Sequence, residues 1–232
     1  MNAAARATTF AAVPLLLLPI LVEAHNVSQS NASFVEGING PAVAAFLYLG
    51  AKHMTTGYDH LLYLVGVVFF LYRGRDILLY VTLFTIGHSI TLLAGVLGGL
   101  TVNAFVIDAI IGLSIVYKAF ENMGGFERLF GFRPDMRAAV LVFGLFHGLG
   151  LATKLQALAL SEDGLVTNML SFNVGVELGQ ILALVMVLLV LLRWRRSASF
   201  QRHAFAANTA LMSGGFLLAG YHLTGYLVTP CC

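Results

Sequence analysis

Five of the seven histidines in this chain, His53, His60, His88, His147 and His222, fall in or beside long apolar runs, together with Asp59, Asp108 and Glu177. Asn173 and Gln180 add uncharged polar groups to the same kind of setting. An ionisable group in the middle of a bilayer costs roughly 3 kcal/mol on insertion scales, so each one asks for a function or a partner. The spacing groups them. His53 and His60 are seven residues apart and share a face if one unbroken helix carries both. Asp59 is placed to orient the His60 imidazole or to act as a ligand itself. Thr85, His88 and Thr91 share a second face. Asn173, Glu177 and Gln180, at i, i+4 and i+7, form a polar stripe expected to face the bundle interior.

His88, His147 and Glu177 each lie about ten residues from the end of an apolar run, near mid-membrane at ~1.5 Å per residue, with His60 somewhat further out. Three imidazoles and one or two carboxylates in one layer suit a divalent transition metal ion. Ni, Co, Zn, Cu and Fe all remain open. Plainer roles stand beside this one. His53 and His222 could equally bond a backbone carbonyl. Asp108 sits close to the outer end of its run, where it either lines an entrance or reaches water. Gly144 and Gly148, which bracket His147, form a small-xxx-small pair for close helix packing whatever else they do.

The elements that must position these residues follow from composition. The 232 residues are 59% hydrophobic and only 10% charged, with a mean hydropathy of +0.86. A soluble domain carries roughly a quarter charged residues. Soluble enzyme, nucleic-acid binder and disordered chain are therefore disfavoured together, and a formal net charge of +2 implies no anionic polymer as partner. The expected fold is all-α, a polytopic transmembrane helix bundle of six spans after a cleavable signal peptide. The spans are read at about 53–72, 76–98, 103–121, 137–159, 167–192 and 204–228, with a short interfacial helix at 41–51 and a bend at Thr55-Thr56-Gly57. Connections are short, which favours antiparallel neighbours. No strand periodicity, repeat or low-complexity segment is evident.

Residues 1–24 read as the signal peptide, with Arg6 before an apolar run and Val22-Glu23-Ala24 offering a cleavage site. Residues 25–40 read as a short extracytoplasmic segment and 41–232 as one membrane domain. Arg73 and Arg75, then Lys118, Arg128, Arg133 and Arg137, then Arg193, Arg195, Arg196 and Arg202 mark alternate connections. By the positive-inside rule these are cytoplasmic, and both mature termini lie outside. Lys52 and Lys154 are the exceptions, expected to snorkel to the outer interface. Cys231 and Cys232, adjacent and terminal, make no disulfide framework.

Four groups of residues resemble the HupE/UreJ family of bacterial membrane proteins. They are His53-Met-Thr-Thr-Gly-Tyr-Asp59-His60, Phe84-Thr-Ile-Gly-His88-Ser-Ile-Thr91-Leu, Leu113-Ser-Ile-Val-Tyr-Lys-Ala-Phe-Glu121-Asn122, and Phe143-Gly-Leu-Phe-His147-Gly-Leu-Gly150 followed by Phe172-Asn173-Val-Gly-Val-Glu177-Leu-Gly-Gln180. The resemblance runs from about Lys52 to Gln180 and is closer to the family's broader second branch. It implies a signal sequence, six mature spans, the bacterial inner membrane, and nickel or cobalt uptake beside metalloenzyme maturation proteins. After Phe146-His147-Gly148 the chain departs from the nickel-permease branch, with no Glu until Glu162, so the resemblance implies metal handling rather than nickel in particular.

The leading expectation is a permease for a divalent metal ion, entering past His53 and Asp59 and pausing at His60, His88, His147 and Glu177. Its partners would be the lipid bilayer and the metal ion, with no nucleic acid, and a homo-oligomer is compatible. The alternative is an intramembrane metal-dependent hydrolase or oxidoreductase on the same cluster, with Glu177 as general base. A third is a haem b electron carrier with two axial histidines.

Overall fold

The computed structural model describes residues 34–158 and 160–229, and all regular structure among them is helical. The helices are α1 (Val43–Thr56), α2 (Tyr58–Val68), α3 (Gly74–Gly98), α4 (Ala104–Asn122), α5 (Gly125–Phe130), α6 (Met136–Gln156), α7 (Leu165–Arg195) and α8 (Ser199–Val228). The expected signal peptide, most of the segment 25–40, and Cys231 and Cys232 lie outside the described residues. Three described helices, α3, α6 and α7, are long and apolar enough to cross a membrane. α4 carries Asp108, Lys118 and Glu121 within its 19 residues, so it is less uniformly apolar than these.

The helix at the start of the chain departs from expectation. The interfacial helix and the first turn of the expected first span are one element, α1, which runs through His53 to Thr56. The break falls at Gly57. Thr55 and Thr56 turn their hydroxyls back onto the carbonyls of Ala51 and Lys52, a bonding mode that bends helices. The Gly57 amide still bonds the His53 carbonyl at 2.9 Å, after which the backbone becomes extended and α2 begins. A Cβ at Gly57 would lie 3.0 Å from His60 Nδ1 and 3.2 Å from Asp59 Oδ1, so the chain turns directly against the side chains two and three residues further on. His53 and His60 thus sit on two helices, not on one face of one helix.

Three tightly packed pairs build the bundle, α3 with α6, α1 with α7 and α4 with α8. Glycines set the first two. Gly87 abuts the Leu141 carbonyl, and Gly148 abuts the His88 carbonyl and Thr91. A side chain at either position would collide with backbone, which is the close approach expected of Gly144 and Gly148. Thr91 adds a 2.6 Å hydrogen bond to the Leu145 carbonyl across the pair. Gly50, Gly175 and Gly179 bring α1 and α7 together in the same way.

Consecutive long helices run antiparallel. At one end, Asn168 accepts from the Ala42 amide and donates to the Gly40 carbonyl, and Gln156 donates to Gly95 and Leu100. At the other, Arg195 donates to the carbonyls of Val68, Phe69 and Leu71 and stacks over the Tyr72 ring. A cation on the last carbonyls of α2 opposes the negative end of its dipole. The connections rich in arginine gather at this second end.

Candidate metal centre

The break at Gly57 places the last turn of α1 and the first turn of α2 on either side of one point, and the glycine contacts of α3 and α6 bring His88 and His147 to it. His60, 2% exposed, is the hub. Its ring centroid lies 5.0 Å from that of His53, 5.0 Å from His147 and 6.1 Å from His88. Ligand atoms of His53, His60 and His88 all lie within 4.8 Å of one another, and so do those of Asp59, His60 and His147. Both groups share His60.

Polar contacts orient two of the rings. His147 Nδ1 lies 2.7 Å from the Phe143 carbonyl. A carbonyl only accepts, so Nδ1 carries the proton and Nε2 the lone pair. Asp59 Oδ2 lies 2.8 Å from His60 Nδ1, the carboxylate–imidazole contact that fixes the orientation of a ring. Asp59 stands in the first turn of α2, where the helix dipole favours a negative charge. His88 is 1% exposed, and neither of its ring nitrogens makes a hydrogen bond. Burying such a group without a partner is costly, and a cation shared with His53 and His60 would supply one. The donor set, neutral imidazoles with one carboxylate and no thiolate, fits a borderline divalent ion.

Not every residue singled out in the sequence is here. Glu177 is exposed. At about 100° per residue, Asn173 and Gln180 fall about 20° apart on α7 while Glu177 lies beyond Asn173, away from Gly175, Val176 and Gly179, which face the bundle. The stripe therefore does not face inward as a whole. Its other two members tie α7 to α3. Asn173 exchanges hydrogen bonds with Ser89, next to His88, and Gln180 accepts from Thr85 at 2.6 Å.

Asp108 and His222 belong to a separate cluster. Asp108 is 5% exposed and takes two hydrogen bonds from Lys154 Nζ, at 3.0 and 2.9 Å, with His222 Nδ1 at 3.7 Å. Asp108 thus does not reach water, and Lys154 turns inward to an ion pair instead of snorkelling. The grouping joins α4, α6 and α8.

Two residues beside the histidines escaped the sequence reading. Phe84 packs edge-on to His147 at 4.9 Å and to His60 at 6.4 Å, walling the cluster on one side. Tyr63 is 2% exposed, its hydroxyl makes no hydrogen bond, and its ring lies 5.4 Å from His147. Tyr63 stands four residues after Asp59 and three after His60, a helical spacing that places it on their side of α2.

A helical bundle with apolar spans and a buried His/Asp cluster defines a membrane protein with a polar centre. The model of the HupE / UreJ protein family matches residues 29–230, most of the chain, and the chain belongs to that family. No curated protein and no solved structure matches it.

Proposed function

We propose that the protein is an integral membrane permease for a divalent transition-metal ion, nickel or cobalt by its family's association. The observation that carries this is the meeting of His53, His60 and His88, from three helices, with ligand atoms within 4.8 Å and His88 buried without a hydrogen bond. Asp59 and His147 offer a second, overlapping group on His60. Overlapping groups allow an ion to be handed on instead of locked in place, as conduction requires. The reading includes six spans in a bacterial inner membrane, the arginine-rich end in the cytoplasm and both mature termini outside.

The other two readings lose support. With Glu177 exposed on α7, the general base envisaged for hydrolysis stands away from the cluster. For haem, the crowding of His60 by His53, His88, His147 and Phe84 at 4.9–6.4 Å among their rings leaves no slot for a porphyrin. Uptake of radioactive Ni2+ and Co2+ into cells expressing wild type, His60→Ala and His147→Ala tests the permease. Uptake falls to background in both variants. Unchanged uptake in both overturns the reading.

A further inference from the structure

The arginine-rich end of the bundle holds a second polar grouping, distinct from the histidines. Lys118 on α4 is 7% exposed, and its Nζ donates to Glu121 Oε2 at 2.5 Å and to Asn122 Oδ1 at 2.8 Å. The orientation of the Asn122 amide is not arbitrary. Its nitrogen donates to the Gly66 carbonyl on α2 and to Asn208 Oδ1 on α8, both at 2.9 Å. With both N–H groups used, its oxygen must face Lys118. A carboxylate oxygen and an amide oxygen are thus held around an ammonium. Amide and carboxylate oxygens are also what a hard or borderline divalent cation takes.

This grouping lines a cavity of about 180 Å³. Val67, Tyr80 and Val140 in the wall of that cavity also wall a smaller chamber of about 10 Å³ that reaches His60, Tyr63 and Gln180. The smaller chamber has room for about one water-sized particle. The three shared side chains are the partition between the histidine cluster and the inner cavity.

We propose that the inner cavity is a second cation station. In the structure the chain's own Lys118 ammonium occupies the Glu121 and Asn122 oxygens in the cavity wall, and a divalent ion leaving the His60 chamber displaces that ammonium on its way to the cytoplasm. Lys118 then acts as a tethered competitor. It keeps the Glu121 and Asn122 oxygens from retaining an ion and so favours release. This rests on the permease reading for its direction, but the station itself can be counted separately.

Equilibrium dialysis of purified protein against Co2+ does so. Lys118→Met binds one more Co2+ per chain than wild type, and the gain disappears in Lys118→Met/Glu121→Gln. Lys118→Gln serves where Lys118→Met does not fold, with the same gain expected. In vesicles preloaded through the protein, Lys118→Met releases Co2+ several-fold more slowly. An equal Co2+ count in wild type and both Lys118 variants overturns the station and leaves the permease reading untouched. An extra Co2+ in Lys118→Met alongside unchanged uptake in both His60→Ala and His147→Ala supports the station and overturns the permease reading.

Discussion

Asp59 Oδ2 and His60 Nδ1 lie 2.8 Å apart, on adjacent residues in the first turn after the break at Gly57. The contact sets the ring at the hub of the cluster, with its other nitrogen turned from the carboxylate. One consequence follows for binding. Asp59→Asn keeps the shape but removes the charge, and affinity for Co2+ falls about 10–100-fold, the usual effect of losing a carboxylate behind a metal-ligating histidine. Titration of the purified protein, followed by Co2+ absorption, measures it. Affinity within two-fold of wild type would show that Asp59 does not act through His60.

Glu177 supplies the opposite expectation. Its exposure places it off the cluster, so Glu177→Gln binds Co2+ with wild-type affinity, within about two-fold. A loss comparable to that of His60→Ala would return Glu177 to the site.

Gly148 is held against the His88 carbonyl and Thr91. Gly148→Val drives α3 and α6 apart and costs about 1–3 kcal/mol, the usual range for overpacking. Thermal unfolding in detergent reads the loss as a lower Tm. Gly214, with nothing near its missing Cβ, is the control, and Gly214→Ala leaves Tm unchanged or slightly raised.

The Asp108–Lys154 pair joins a buried carboxylate to a largely covered ammonium, with side chains 6% and 14% exposed. Asp108→Ala leaves the Lys154 ammonium without its carboxylate and destabilises by about 3–5 kcal/mol. Adding Lys154→Ala recovers much of that, since the orphaned charge is then gone. Additive losses in the double variant would show that the two residues act independently.

Much of this architecture is visible in the sequence. The limits of α3, α4, α6 and α7 follow from where apolar runs meet Arg, Gly and Asn, and the histidines that converge are those that stand apart in apolar runs. The rotation of each helix is harder to read. α7 is apolar almost all round, so hydropathy does not say which side faces the bundle, and the polar stripe is the one guide it offers. Gly175 and Gly179 are better markers, because only a small residue lets α1 come this close, and they put Glu177 outside. The inward turn of Lys154 depends on Asp108, 46 residues away on another helix, which no local pattern encodes. The break was legible as Thr55-Thr56-Gly57, but not that α1 continues through His53, because threonine back-bonding bends a helix without ending it.

The central claim is that the histidine cluster binds a transition metal through His60. Equilibrium dialysis of purified protein against Co2+, with the bound cobalt counted by elemental analysis, tests it most directly, wild type against His60→Ala. The arrangement of His53, His60, His88 and His147 predicts bound cobalt in stoichiometric amount in wild type and its loss in His60→Ala. Equal cobalt in both proteins would contradict it.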